Sequence, residues 1–322
     1  MNHRPSGITL VPASSFNDDA IAMLLTTGFS GYIVPIHFTM ATVKAMIARD
    51  DIDLALSLTA VRASVPVGVA LTAARTRKPR RKGDTRPTPV GSTRTLLAAL
   101  AVVPAARDQG VGRLLLSEIV ASSRRRGAVE TSLQVFAPND AARLLYESAG
   151  FTVSRPLYGF TLERAGLVAD TATARVRVRP APAAAALGLF DLCVAPDEPL
   201  AAPIWQAEPS SLARFGPPST TYVATIEGQD TPVGVATLGT IAQETRLLSL
   251  GVIPTARRQG LGAATLQALF AVHPQIERLS VAPIVPAAST LVPFFLAIGA
   301  VRDRLEQREM VLPHGPFAGG AS

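Results

Sequence analysis

Apolar residues along this chain fall into strand-like and helix-like runs, in an order that occurs twice. In the first half, Gly7 to Val11 reads as a short strand. Ser15-Phe-Asn-Asp-Asp caps a helix running to about Leu25, and Thr39 caps a second helix ending near Arg49. Runs from Leu54 to Ala60, Val65 to Ala73 and Thr95 to Val103 predict three strands. A turn with two glycines then opens a helix over 110–125, with Val111, Leu114, Leu115 and Ile119 at helical spacing. Strand Thr131 to Phe136, helix Asn139 to Ser148 and a closing strand near Tyr158 to Glu163 complete the half. The second half follows suit: strand Arg175 to Arg179, helix Ala183 to Cys193, and strands Tyr222 to Glu227, Val233 to Gly239 and Arg246 to Val252. Helix 260–272, strand Leu279 to Ala282, helix Ala287 to Ile298 and strand Arg304 to Leu312 end it. A strand meander followed by helices argues for an α+β fold, and the missing βαβαβ alternation argues against a dinucleotide-binding fold. A small, polar stretch, Ala165 to Ala174, is the expected linker.

The duplication is also literal. Ala101-Val-Val-Pro104-Ala-Ala-Arg107-Asp-Gln-Gly110-Val-Gly112 reappears as Gly251-Val-Ile-Pro254-Thr-Ala-Arg257-Arg-Gln-Gly260-Leu-Gly262, and Pro66-Val-Gly-Val-Ala70 matches Pro232-Val-Gly-Val-Ala236. Strand, turn with two glycines, then helix is how a backbone offers free N–H groups and the positive end of a helix dipole to a phosphate. Glycine leaves room for the anion to approach. Two anion-binding turns on two related domains follow, and 322 residues suit two domains of about 150 each.

Composition supports two buried cores, with 48% hydrophobic and 17% charged residues. The net charge of +7 suggests nucleic acid until it is located. Residues 75–86 hold Arg75, Arg77, Lys78, Arg80, Arg81, Lys82 and Arg86 against Asp84, and the rest of the chain is near neutral. From the end of Pro-Val-Gly-Val-Ala to the repeated phrase is 31 residues in the first half and 15 in the second. The basic run is therefore an insertion between two strands. It has no interleaved aromatic residue, so a solvated loop is favoured over a polyanion patch and nucleic acid is not the expected partner. Cys193, the single cysteine, sits in an apolar run and reads as a buried thiol. With no signal-type N-terminus and no apolar run long enough to span a bilayer, a cytoplasmic protein without membrane contact is expected.

Val102-x-Pro104-x-x-Arg107-x-x-Gly110-x-Gly112 resembles the acetyl-coenzyme A signature of the GCN5-related N-acetyltransferase (GNAT) superfamily. Asn139-x6-Tyr146 and Ala149-Gly150-Phe151 add to the likeness, and the duplication makes the chain similar to tandem GNAT proteins. The resemblance implies two domains, 1–165 and 172–322, each a mixed, mostly antiparallel twisted sheet flanked by helices. It implies that backbone groups at Val102, Val103, Asp108, Gln109, Gly110, Val111, Gly112 and Arg113 hold acetyl-coenzyme A, the pyrophosphate resting on the amides from Gln109 to Arg113. A bulge at the strand end would aim an N–H near Val102 at the thioester carbonyl. Arg107 positions phosphate or caps the turn, and Asn139 bonds coenzyme A or caps its helix. Tyr146 is the expected general acid, a phenol that protonates the departing thiolate.

No general base is evident. Gln134 occupies the position where the resemblance would offer a Glu, leaving a water relay, Asp53 or His37. No His, Asp or Glu cluster has metal spacing. In the second half Arg257, Gly260 and Gly262 keep the phosphate turn, but Phe295 aligns with Tyr146 and Ala288 with Asn139, so that half is expected to be degenerate. The resemblance implies a small-molecule or peptide amine as acceptor, bounded by Phe29 to Ile47 and Arg155 to Phe160. Tyr32, Phe38, Met40 and Tyr158 suggest a partly apolar pocket, and Asp50, Asp51 and Asp53 an attraction for cations. Monomer and homodimer both stay open. The competing reading is a non-catalytic acyl-coenzyme A-binding regulatory or scaffold protein.

Overall fold

The computed structural model describes residues 6–76, 91–169, 175–193, 199–241 and 244–315. The described residues form two compact units: the first runs to Ser154 and includes the C-terminal residues from Arg308, and the second spans Arg155–Gln307.

The elements of the first unit begin with β1 (Ile8–Pro12), α1 (Asp18–Gly28), α2 (Met40–Asp50), β2 (Leu58–Arg62) and β3 (Val65–Thr76). They continue with β4 (Thr93–Val102), α3 (Val111–Arg125), β5 (Ala128–Phe136) and α4 (Asp140–Ser148). Strand β6 (Thr152–Glu163) leads into the second unit. There β7 (Val176–Ala181), α5 (Leu187–Cys193), α6 (Pro209–Leu212), β8 (Thr220–Ile226), β9 (Pro232–Ile241) and β10 (Glu244–Val252) follow. Then come α7 (Leu261–Val272), β11 (Arg278–Pro286), α8 (Leu291–Ala297), the two-residue β12 (Val301–Arg302) and β13 (Gln307–Pro313).

In the first unit the strand order is β1-β2-β3-β4-β5-β13. Pairing is antiparallel through β4, and β4 meets β5 in parallel. The second unit has the order β6-β11-β10-β9-β8-β7, again antiparallel apart from β10 with β11. The closing strands thus differ from the expected assignment. Strand β6, which follows the first half, completes the second sheet, and β13, at the end of the chain, completes the first. Alternation of apolar residues marks a strand but does not name its sheet, so the exchange is invisible in the pattern.

Each core explains its helices. Helix α3 buries Val111, Leu115, Leu116, Ile119 and Val120 on one face, on the order of 2 kcal/mol each relative to exposure. They pack with Leu97, Leu133, Tyr146 and Phe151, and with Met310 and Leu312 from β13. In the second unit Leu266, Leu269 and Phe270 of α7 pack with Phe295 and with Phe160 and Leu162 of β6. The stretch expected as linker is in part structured: Val168 donates to Ile298 O (2.9 Å), and Arg164 to His273 O (2.7 Å) and Ile276 O (2.6 Å). Residues 170–174 of that stretch lie outside the described residues, as do 77–90 of the basic insertion. Of that insertion Arg75 is described, and its Nε meets Asp51 Oδ2 at 2.7 Å.

Candidate active site

The site is built where β4 and β5 part company. Their parallel register runs from Thr93 with Ala128 to Leu96 with Ser132, yet the strands continue to Val102 and Phe136. The register of β3 against β4 shifts between Leu71 and Thr72, which pair with Ala99 and Leu97, so Ala98 is the extra residue of a bulge. The bulge lies four residues before Val102 and not at the strand end, where it was expected. The same shift recurs in β10, with Leu248 between Leu247 and Ser249. Val103 donates its N–H to Val67 O on β3 (3.0 Å). Strand alternation therefore turns the N–H and C=O of Val102 to the opposite edge, the one from which β5 has diverged.

The turn after β4 and the turn after β10 share one backbone geometry. Asp108 and Gly110 take φ of 60° and 78°, and Arg258 and Gly260 take 62° and 73°. Gly110 and Gly260 adopt this left-handed backbone freely, whereas Asp108 and Arg258 adopt it with a Cβ, at a cost in strain. Gly110 caps α3 without a side chain, and the first intrahelical bond is Leu114 N to Gly110 O. The N–H groups of Val111, Gly112 and Arg113 therefore precede the hydrogen-bond ladder of the helix, at its positive end. Gln109 braces the turn by donating to Ala105 O (2.8 Å).

Arg107 is the central fastening. Its Nε donates to Val102 O (3.2 Å), and its Nη2 to Gly28 O (3.0 Å) and Ser30 O (3.0 Å). Of the two expected roles, turn fastening is the one its contacts support. Arg257 repeats it, donating to Val252 O (3.0 Å) and Cys193 O (2.9 Å). Gly28 and Cys193 thus occupy equivalent places, an equivalence that the motifs did not reveal. A Cβ on Gly28 would come within 2.7 Å of Ala101 Cβ and 3.2 Å of Val102 N.

Tyr146 of α4 is buried, 7% exposed, against Phe151. Burial, with a smaller contribution from Tyr32, pushes its phenol well above the usual tyrosine range, so it is protonated throughout the neutral range. Asn139 caps α4, its Oδ1 accepting from Ala142 N (3.2 Å), and its side chain also hydrogen-bonds Tyr32. The phenol of Tyr32 is raised by burial and lowered less by that bond. The structure thus brings Tyr32, Asn139 and Tyr146 together beside the strand ends, with Phe136 against the Tyr32 ring (5.8 Å between centroids).

The acidic candidates lie elsewhere. Asp53 accepts from Ala55 N (2.8 Å) and faces Arg126, the residue that caps the C-terminal end of α3, away from the turn at its start. Asp50 is buried against Arg49, and Asp51 pairs with Arg75. His37 is exposed in the α1–α2 connection. Tyr158 belongs to the second unit, under the Arg302 guanidinium (4.5 Å).

In the second unit the position of Tyr146 is held by Phe295, 2% exposed and stacked on Phe160 at 4.9 Å. Ala288 cannot cap, and α8 starts only after Thr290, which gives no side-chain cap, so the helix has seven residues against nine in α4. A Cβ on Gly262 would lie 2.9 Å from the Phe294 ring, whereas one on Gly112 would lie 3.4 Å from Leu145 Cδ2. Among the described residues no group of three or more His, Cys, Asp or Glu is placed to hold a metal ion, and no helix is long and apolar enough to cross a membrane.

Comparison with known proteins adds a family to this geometry. The model of the acetyltransferase (GNAT) family matches residues 38–151 and 188–290. A search among curated proteins finds no match. Among solved structures, a tandem GNAT protein from the clavulanic acid biosynthesis pathway is 14% identical, covering 96% of this chain and 99% of its own, with a TM-score of 0.63. A GCN5-related N-acetyltransferase from Sphaerobacter thermophilus is also 14% identical, with 96% of each chain covered and a TM-score of 0.63. One from Kribbella flavida is 16% identical, covering 94% of this chain and 70% of that one, with a TM-score of 0.59. At these identities the likeness is one of fold.

Proposed function

The chain belongs to the GNAT acetyltransferase family, and on that premise we propose that its first unit transfers acetyl from acetyl-coenzyme A to the amine of a small molecule or peptide. The observation that carries this is the open helix start at Val111–Arg113, fastened by Arg107 beside the divergence of β4 from β5, with Tyr146 on the adjoining helix. The residues fit the cosubstrate. The N–H groups of Val111, Gly112 and Arg113 suit its pyrophosphate, with Asp108, Gln109 and Gly110 shaping the turn. The Val102 N–H faces the edge where a thioester carbonyl would be polarised, and the Val103 N–H is engaged with β3.

Tyr146 acts as the general acid. As the amine attacks the carbonyl carbon, the carbon–sulfur bond breaks, and the phenol gives its proton to the sulfur. Its raised pKa keeps the proton in place until negative charge develops on that atom. Asn139 caps the start of α4, the helix that carries Tyr146, and its side chain also hydrogen-bonds Tyr32. The second unit, with Phe295 and Ala288 at the corresponding places, keeps the turn of Arg257, Gly260 and Gly262 but offers no proton.

The test is calorimetric titration of the full-length chain with acetyl-coenzyme A, followed by thiol-release assays of the wild type and Tyr146→Phe. Expected are saturable binding in both and a kcat lower by about 10²- to 10⁴-fold in the variant. Equal turnover removes Tyr146 from the mechanism. Absence of binding by the folded protein refutes the assignment.

A further inference from the structure

The first unit gathers four aromatic rings around the end of β5. Phe29 packs on Tyr32 (5.0 Å between centroids) and Phe38 (5.7 Å), and Tyr32 on Phe136 (5.8 Å). All four are only half-buried. The segment joining them, Tyr32-Ile-Val-Pro-Ile-His-Phe38, is apolar yet forms no helix or strand, and it leaves Ile33 39% exposed. It is nevertheless held. Phe38 N donates to Thr26 Oγ1 (2.9 Å), Thr26 Oγ1 donates to Phe38 O (3.2 Å), and Arg107 grips Ser30 O (3.0 Å). A fastened, half-exposed aromatic patch beside a transfer site has the character of a binding wall.

Most carboxylates on the surrounding elements are engaged; of the others, Asp19 lies in the first turn of α1, at the opposite end of that helix from Phe29, and Asp108 lies in the phosphate turn. Asp50 meets Arg49 and Asp51 meets Arg75, Asp140 and Glu147 both hold Arg143, and Asp18 meets Lys44. Asp53 caps its own turn. An alkylamine with a lysine-like pKa is neutral in only about one molecule in 2,500 at pH 7, so a base must deprotonate it before attack. An amine borne on an aromatic ring is already neutral there, because its lone pair is delocalised into the ring.

Resting on the proposed transferase activity, we infer that the acceptor is an aromatic amine, its ring seated on Phe29, Tyr32, Phe38 and Phe136. The nitrogen lone pair forms the C–N bond to the acetyl carbon, the C–S bond breaks, and the thiolate takes the Tyr146 proton. The proton shed by the acylated nitrogen, now strongly acidic, passes through water and restores the phenol.

The experiment measures acetyl-coenzyme A-dependent thiol release by the full-length protein with aniline, benzylamine and spermidine from pH 6 to 9, alongside calorimetry of acetyl-coenzyme A. The expected kcat/KM for aniline is flat with pH and at least tenfold above that for benzylamine at pH 7, while the benzylamine value rises about tenfold per pH unit. Phe38→Leu should raise the aniline KM about three- to tenfold with acetyl-coenzyme A affinity unchanged. Faster reaction of benzylamine or spermidine at pH 7 overturns the inference, as does loss of aniline turnover in His37→Gln, which would make that imidazole the base. Acetyl-coenzyme A binding without any preference for aniline overturns the acceptor class alone. Absence of binding overturns the transferase reading beneath it.

Discussion

Exchanging Arg107 for lysine separates a fastening from a phosphate ligand. The guanidinium reaches three carbonyls, those of Val102, Gly28 and Ser30, at 3.0–3.2 Å. A lysine ammonium keeps the charge but has no planar fork, and it can serve one of these carbonyls well. A charge-assisted hydrogen bond is worth about 1.5–3 kcal/mol when sheltered. Arg107 is exposed, so about 0.5–1 kcal/mol each is the appropriate scale, and losing two costs about 1–2 kcal/mol. At about 2–4 °C per kcal/mol, the melting temperature of Arg107→Lys should fall by about 2–8 °C. Acetyl-coenzyme A affinity, followed by calorimetry, should weaken about as much as in Arg107→Ala, because both variants release the turn from α1. Arg257→Lys, which loosens Val252 and Cys193, should lower the melting temperature and leave turnover unchanged. Lysine is a good partner for phosphate in its own right. Wild-type affinity and melting temperature in Arg107→Lys would therefore refute the fastening role and return Arg107 to the phosphate.

Two further predictions concern packing and pH. Gly28→Ala gains helix propensity but drives a Cβ into Ala101, so it should destabilise the chain by about 1–3 kcal/mol and lower kcat, and adding Ala101→Gly should restore both; a stable, fully active single variant would contradict the packing. His314 accepts from Arg124 Nε (3.3 Å), sits 2.8 Å from Thr131 Oγ1, and has its pKa lowered by burial and then by Arg124. The unfolded chain therefore takes up that proton more readily than the folded one. Stability contributed by this group is present above about pH 6.5 and is lost as pH falls below that value, so the urea midpoint should drop between about pH 6.5 and 5 in the wild type and less in His314→Gln.

The turn was the most legible part of this chain, because its requirements are local. Left-handed backbone at Gly110 and Gly260, and a helix start without a capping side chain, follow from residues within one phrase. What depended on distant residues was hidden. The bulges at Ala98 and Leu248 lie inside apolar runs with no alternation to betray a slipped register. The acidic pair at Asp50 and Asp51 suggested a site for cations, but Asp50 meets its own neighbour Arg49, and the fold brings Arg75 from β3 to Asp51. Asn139 could bond cosubstrate or cap its helix from sequence alone. Its bond to Tyr32 requires the α1–α2 connection to meet α4, which no spacing along the chain foretells.

The two units also show why a motif match says less about ligands than about backbone. At the crossing of the first helix and the phosphate-turn strand, the first unit sets Gly28 against Ala101, and the second sets Cys193 against Gly251. A Cβ on Gly251 would come within 2.5 Å of Cys193 Cβ. One partner must be glycine for the helix end to come close enough for its carbonyl to receive the arginine, and the two units place that glycine on opposite sides of the contact. The arginine and the first glycine of the phrase are therefore accounted for in both units by the demands of closing the turn. Retention of Arg257, Gly260 and Gly262 is compatible with a second unit that never holds acetyl-coenzyme A, and Phe294 over Gly262 points the same way. In the proposed mechanism the chemistry depends instead on residues the turn does not need. Tyr146 and Asn139 are present in the first unit, and Phe295 and Ala288 stand at their places in the second. A binding stoichiometry of one per chain would follow from this argument, and a stoichiometry of two would show that the turn alone suffices.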